Sequence, residues 1–300
     1  MKILLLGKNG QVGWELQRSL APLGEVIALD RNDSRFCGDL GKPDQLADTV
    51  RRLSPDVIVN AAAYTAVDKA ESDFDQACLI NADAPAMLAR QANETGALLV
   101  HYSTDYVFDG TGDVSWTETD AVAPLNAYGR SKLDGEQAII ASGCQHLIFR
   151  TSWVYAARGN NFAKTMLRLG KTRPTLSVVD DQYGAPTGAE LLADATAHAI
   201  LQTLQNPEKS GLYHLAAGGV TTWCDYARFV FSVAKKHDVE LALEEGGVTG
   251  VPGSAYVTPA KRPANSRLNT QKFRSAFNLQ LPDWQTGVER MLAELLEKNL

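Results

Sequence analysis

Tyr128 and Lys132, in the stretch YGRSK, pair a phenol with an amine four positions apart. Four residues is about one helical turn, so on a helix both side chains share a face. A phenol near pKa 10 is a slow proton donor at neutral pH, and a cation beside it favours the phenolate and lowers that value. The pair therefore suits proton transfer to an oxygen that is gaining charge. Standing alone it reads equally well as a solvated pair on a helix face, so context has to decide. Upstream, HYSTDYVFDG brings Ser103, Thr104 and Asp105 to the end of an apolar run.

A second constellation sits at the start of the chain. KILLLG runs into GKNGQVG and then WELQRSL, a strand, a Gly-rich turn and a helix. Gly7 permits the tight turn, Gly10 lets the backbone approach a pyrophosphate, and Gly13 lets the helix pack close to the sheet. The helix N-terminus offers free N–H groups to phosphates. Asp30 ends the next apolar run, near the offset of a ribose-binding acid. Asp30 favours NADH by repelling a 2′-phosphate, whereas Arg31 beside it suits NADPH; the residues leave both open.

These groups need a scaffold at whose strand ends they can meet. The runs 2–7, 25–30, 56–63, 97–104 and 146–152 are continuously apolar and rich in Val, Ile and Leu, as strands covered on both faces are. Segments 11–21, 43–53, 73–94 and 128–142 read as helices between them, and a short strand is expected before Asp39. The alternation predicts an α/β fold, a Rossmann-type doubly wound parallel sheet, with a smaller C-terminal α/β substrate domain. Further on, 177–187 reads as a strand leading into a loop and 211–219 as another strand. Residues 187–204 read as a helix with a Thr187–Glu190 capping box. A Thr-capped helix is expected over 221–237, a long loop over 244–266, and a last helix from after Pro282 to the chain end. The expected cofactor domain is 1–170 plus 187–217, and the substrate domain 171–186 plus 218–300.

Composition narrows the function. Of the 300 residues 45% are hydrophobic, enough for a sizeable core, and the net charge of −6 comes without a basic block, which argues against nucleic acid. No apolar run is long enough for a spanning helix, and ILLLG is too short for a secretion signal, so no membrane role is expected. The 4 Cys and 5 His show no zinc spacing, and scattered thiols fit a reduced, cytoplasmic setting.

GKNGQVG, STDYVFDG and YGRSKLDGE, in this order, resemble the short-chain dehydrogenase/reductase superfamily in its extended, nucleotide-sugar-modifying form. With RTSWVY, GNNF, QYGAPT and RPANSRLNT they are similar to the family of dTDP-4-dehydrorhamnose reductases, over roughly residues 2 to 270. That resemblance implies reduction of the C4 ketone of dTDP-6-deoxy-L-lyxo-4-hexulose to dTDP-L-rhamnose by NADPH or NADH. Tyr128 would be the general acid, Lys132 would stabilise the phenolate and bond the nicotinamide ribose, and Thr104 would polarise the carbonyl. Asn9, Gln11 and Val12 would complete the turn over the pyrophosphate. Asp39 and Leu40 would flank adenine, Ala62, Ala63 and Tyr64 would lie beneath the cofactor, and Tyr102 would line the site. Asp105 and Trp153 would sit beside the keto sugar, with core packing the other reading of Trp153. Arg262 and Arg267 suit a diphosphate, because a guanidinium bonds oxygens in pairs; a surface ion pair is the competing reading. The GNNF loop, 159–162, would reach the base or diphosphate. The family also implies Mg²⁺ at a homodimer contact, with Glu15 and Glu190 in position or, equally, as solvated helix-face residues.

Two rival functions remain. A sugar-nucleotide dehydratase or epimerase shares the fold, but the dehydratases read Thr-Asp-Glu where this chain reads Thr104-Asp105-Tyr106. A non-catalytic, cofactor-binding regulatory subunit would not need Thr104, Tyr128 and Lys132 together, and all three are present.

Overall fold

The structure, a computed structural model, describes residues 1–297. The first half runs β1 (Lys2–Leu6), α1 (Gln11–Leu20), β2 (Glu25–Leu29), α2 (Pro43–Leu53), β3 (Val57–Asn60), α3 (Val67–Ala70), α4 (Phe74–Cys78), α5 (Ala84–Thr95), β4 (Leu98–Thr104), α6 (Ala127–Ala141) and β5 (His146–Thr151). Then come β6 (Val154–Tyr155), α7 (Phe162–Gly170), β7 (Leu176–Val179), β8 (Tyr183–Gly184), β9 (Thr187–Gly188), α8 (Ala189–Gln205) and β10 (Gly211–His214). The chain closes with β11 (Thr221–Thr222), α9 (Trp223–Lys236), β12 (Val248–Val251), α10 (Gln271–Phe277) and α11 (Trp284–Glu297). Residues 298–300 of the expected last helix lie outside the described residues.

Six parallel strands form the main sheet in the order β10-β5-β4-β3-β1-β2. The chain leaves β1 in one direction and returns as β3 on its other side. That switch point opens a crevice at the carboxyl ends of β1 and β3, where ligands of doubly wound sheets bind. One face of the sheet packs on α1, α8 and the α10 residues Phe273 and Phe277. The other packs on α2 and α5, with Ile139 of α6. A separate apolar core joins α7, α9, α11, β7 and β12 around Tyr226, Val230 and Trp284. No helix among the described residues is long and apolar enough to cross a membrane.

Five local expectations need correction. The segment 73–94 is not one helix: between α4 and α5 the backbone widens into a π turn over Leu79–Asp83. Pro85 at the start of α5 has no N–H for the Asn81 carbonyl, which breaks the ladder there. No strand precedes Asp39; Asp30, Asp33 and Asp39 instead accept the amides of Asn32, Arg35 and Gly41, and these tight turns use the backbone differently. The Thr187–Glu190 capping box does not form, because Thr187 pairs with Val154 as strand and donates its hydroxyl to the Ala185 carbonyl. The stretch 244–266 holds a strand, β12, paired in parallel with β7. Helix α10, unforeseen, returns to the main sheet through two phenylalanines.

Candidate active site

The Gly-rich turn is built on close approaches. Gly7 takes φ +85°, a left-handed conformation that a side chain would strain, and its amide donates to the Leu29 carbonyl at 3.0 Å. A Cβ on Gly13 would stand 2.1 Å from the Gly7 carbonyl oxygen. Helix α1 has no side-chain cap at Gly10, so its first amides remain for a ligand. Beside this turn lies a cleft of about 700 Å³. Gly7, Asn9, Gly10, Asp30, Arg31, Asp39, Leu40, Ala62 and Ala63 line it. The Asp30 carboxylate is held by Asn9 Nδ2 at 2.7 Å and the Asn32 amide at 2.8 Å. Shape and donor chemistry fit a dinucleotide.

Other expected cofactor residues stand back from the cleft. Gln11 Oε1 accepts from Asn161 Nδ2 at 3.3 Å, Val12 packs against the core, and Gly13 is buried. The GNNF loop thus closes on the Gly-rich turn, with Asn161 capping α7. Tyr64 is fixed through its backbone by Asn81 and through its hydroxyl by Asp73. The Tyr102 ring does not face the site: its hydroxyl meets Thr196 Oγ1 at 2.7 Å and its ring packs on Phe149. Successive strand residues point to opposite faces, and this one points to α8. Its carbonyl, however, accepts from Lys132 Nζ at 2.7 Å.

The end of β4 and the start of α6 bring the reactive groups together. Asn126 caps α6, its Oδ1 accepting from the Gly129 amide at 2.8 Å, which sets the helix that carries Tyr128 and Lys132. Thr104 Oγ1 donates to Asp105 Oδ1 at 3.2 Å and accepts from the Tyr106 amide at 3.2 Å, and the Tyr128 phenol lies near it. Burial pushes the Tyr128 phenol up to about 12, against the nearby Thr104 hydroxyl, and Asp105 adds to the rise. This reverses the expected lowering by Lys132. Lys132 Nζ is engaged elsewhere, by His101 Nε2 at 3.0 Å and the Tyr102 carbonyl. Burial pushes the Lys132 ammonium down to about 8, while Glu136, one turn on, favours the charge. Glu136 is itself paired with Arg150 at 2.6 Å beneath the site. Asp105 is buried and raised to about 7 by desolvation, with the nearby Ser266 and the Thr104 bond opposing; among the described residues its Oδ2 has no hydrogen-bond partner.

Next to these groups a pocket of about 810 Å³ opens between α7, α9 and the 253–264 segment. Tyr106, Phe162, Trp223, Tyr256, Lys261 and Arg262 are among its walls. Arg262 lines it while paired with Asp68 at 2.9 Å. Arg267 is not part of its lining; its guanidinium lies over the Tyr183 ring and bonds Asn265 Oδ1. Trp153, at φ +49°, stacks on Trp223 with ring centroids 3.6 Å apart, backing the pocket wall. Phe162 belongs to the GNNF loop that the sequence pointed to, whereas sequence reasoning missed Trp223, Tyr256 and Lys261. The Gly/Pro-rich stretch 244–266 was the available signal for the last two, and nothing marked Trp223 apart from a core residue. Among the described residues no three His, Cys, Asp or Glu side chains gather to hold a metal. Glu15 is raised by burial and then by Glu190, and Glu190 lies 3.6 Å from Arg290, so this chain supplies two facing carboxylates rather than a closed donor set.

Comparison with known proteins agrees with this geometry. The family described as RmlD substrate binding domain matches residues 1–297. A dTDP-4-dehydrorhamnose reductase of Salmonella typhimurium is 65% identical over 295 residues, covering 98% of each chain. A crystal structure of a dTDP-4-dehydrorhamnose reductase from Clostridium acetobutylicum superposes with a TM-score of 0.87 at 36% identity, covering 98% of this chain and 99% of that one. One from Bacillus anthracis, in complex with NADP, gives 0.86 at 35% identity with the same coverage. Fold, site and relatives agree: the chain belongs to the dTDP-4-dehydrorhamnose reductase family.

Proposed function

We propose that this protein reduces the C4 ketone of dTDP-6-deoxy-L-lyxo-4-hexulose to dTDP-L-rhamnose, using NADPH or NADH. The observation that carries the reading is that Tyr128 packs edge-on against Tyr106 of the pocket with cationic and aromatic walls, while Lys132, on the same helix, is linked through His101 and Asn60 to Ala62 of the dinucleotide-shaped cleft. When bound, the nicotinamide supplies the hydride that goes to C4. Tyr128 gives its phenolic proton to the oxygen as charge develops there. Its raised pKa keeps that proton on the phenol until the oxygen demands it. Thr104 turns its hydroxyl hydrogen from Asp105 to the carbonyl oxygen and polarises it. Lys132 reaches the nicotinamide ribose and stabilises the phenolate once the cofactor seats. Asp105 takes a sugar hydroxyl through Oδ2, and Trp153 shapes the sugar site through its stack on Trp223. Arg262 and Lys261 face the diphosphate; Arg267 acts from behind, through Tyr183.

The proposed cofactor domain is 1–170 plus 187–217 and the proposed substrate domain 171–186 plus 218–300, with α7 and α10 crossing the seam. We also propose a cytoplasmic homodimer. The cysteines are all free, which suits a reducing compartment. Glu15 and Glu190 would face Mg²⁺ only with donors beyond those this chain gathers.

The test is nicotinamide absorbance. NADPH and NADH are mixed separately with the protein and the 4-keto sugar nucleotide. Substrate-dependent loss of the reduced-cofactor signal supports the reductase. Cofactor binding without turnover would overturn it in favour of a regulatory role.

A further inference from the structure

A buried row of polar groups runs from Lys132 away from Tyr128 to the cofactor loop. Lys132 Nζ lies 3.0 Å from His101 Nε2, and His101 Nδ1 lies 3.2 Å from Asn60 Nδ2. Asn60 Oδ1 accepts from the Ala62 amide at 3.2 Å, and Ala62 lines the dinucleotide cleft. Lys132, His101 and Asn60 are each 1% exposed, so bulk water is no substitute for a missing partner.

The bonds fix the protons. Because the Ala62 amide takes Asn60 Oδ1, Asn60 presents Nδ2, a donor, to His101 Nδ1. Nδ1 must then accept, and the single proton of a neutral ring sits on Nε2. That Nε2–H points at Lys132 Nζ, which accepts it only as a neutral amine with a lone pair. The amine's own N–H goes to the Tyr102 carbonyl. Protonating Lys132 sets one N–H against another. Relief requires the ring proton to move to Nδ1 and the Asn60 amide to turn over, which withdraws Oδ1 from Ala62.

We propose that His101 is a positioning residue for Lys132: with Asn60 it favours the neutral amine in the free enzyme and ties the lysine's protonation to the cofactor loop at Ala62. The importance of Lys132 rests on the reductase reading; the proton placement does not. Other groups bear on the pair. Glu136, on the same helix, favours the ammonium, and Arg150 from β5 holds Glu136. Tyr128 on α6 and Asp105 after β4 are the further titratable groups of the site. Lys132 in turn disfavours a charged His101 ring, as burial does first.

Two measurements on the full chain test this. The first is ¹⁵N-histidine NMR of the cofactor-free protein, with the His101 signal assigned by its loss in His101→Gln. A neutral Nε2–H ring is expected; an Nδ1–H ring or an imidazolium overturns the proposal. The second is the pH profile of kcat/KM, which reports free-enzyme groups. In His101→Gln the amide oxygen can accept from an ammonium, so the alkaline limb should move up by about one unit, tenfold in proton concentration. Asn60→Ala removes the lock on the ring and should move the limb the same way, should the first variant fold poorly. A limb that stays in place while stability alone falls overturns the proposal. If the wild-type protein turns over no sugar nucleotide, the reductase reading falls, and the NMR signal still decides the tautomer.

Discussion

Arg262 Nη2 stands 2.9 Å from Asp68 Oδ2, and its Nη1 3.3 Å from Oδ1, so a cation from the 253–264 segment is gripped in both prongs by a carboxylate from α3. The Ala260 amide donates to the same carboxylate at 3.2 Å. The two side chains are 30% and 41% exposed, and a pair in that setting contributes only about 0–1 kcal/mol to stability. Its consequence is directional: the guanidinium is held against the wall of the sugar-nucleotide pocket before a substrate arrives.

Asp68→Asn should therefore raise KM for the sugar nucleotide by about tenfold, the equivalent of ~1.4 kcal/mol, with kcat and NADPH affinity little changed. Asp68→Glu should recover part of the loss. Steady-state kinetics with dTDP as competitive ligand separates the effects. An unchanged KM, or a fall confined to kcat, would remove Asp68 from this role.

Tyr128→Phe removes the phenolic proton while leaving the ring edge-on to Tyr106. Turnover should fall by ~10²–10⁴, the usual worth of general acid catalysis, with cofactor binding retained. NADPH fluorescence titration and single-turnover absorbance are the readouts. A variant that kept more than about a tenth of kcat would place the acid elsewhere.

Much of the cofactor half was legible because its demands are local. Gly7, Gly10 and Gly13 announce a backbone conformation and a close approach, and Asp30 follows at the end of the next strand. The proton arrangement was not legible. Tyr128 and Lys132 do share α6, but the lysine's partners, His101 and the Tyr102 carbonyl, arrive from β4 by sheet register. Spacing predicted a lowered phenol; burial, which no pattern of four residues encodes, raised it. The far wall was harder still. Trp223 begins an ordinary amphipathic helix, and only the tertiary fold stacks it on Trp153.

Gly13→Ala tests the cradle. The new methyl would stand 2.1 Å from the Gly7 oxygen and 2.7 Å from its carbonyl carbon, both backbone atoms that move only with the turn itself. NADPH affinity should fall by about tenfold or more, and the protein should lose about 1–3 kcal/mol from overpacking. Fluorescence titration and urea unfolding check both parts. A variant with wild-type affinity would show that the turn tolerates displacement and does not hold the pyrophosphate closely.

Asp105 gives a pH prediction with a definite sign. Desolvation raises its carboxyl from an ordinary 3.8 to about 7, so the folded state holds this proton more tightly than the unfolded chain. Its contribution to stability is complete below 3.8 and is lost as the pH climbs through about 7. Asp105→Asn keeps the shape of the protonated acid and removes that loss. Its stability advantage should therefore widen by about 1–3 kcal/mol between about pH 5 and about pH 8. Above about pH 7 turnover should fall, because the amide presents a donor where the ionised Oδ2 offers an acceptor to the sugar. Urea unfolding at the two pH values decides the matter. An advantage that stays constant with pH would mean that Asp105 is already ionised in the folded protein at the lower value, and that its buried Oδ2 carries charge rather than a proton.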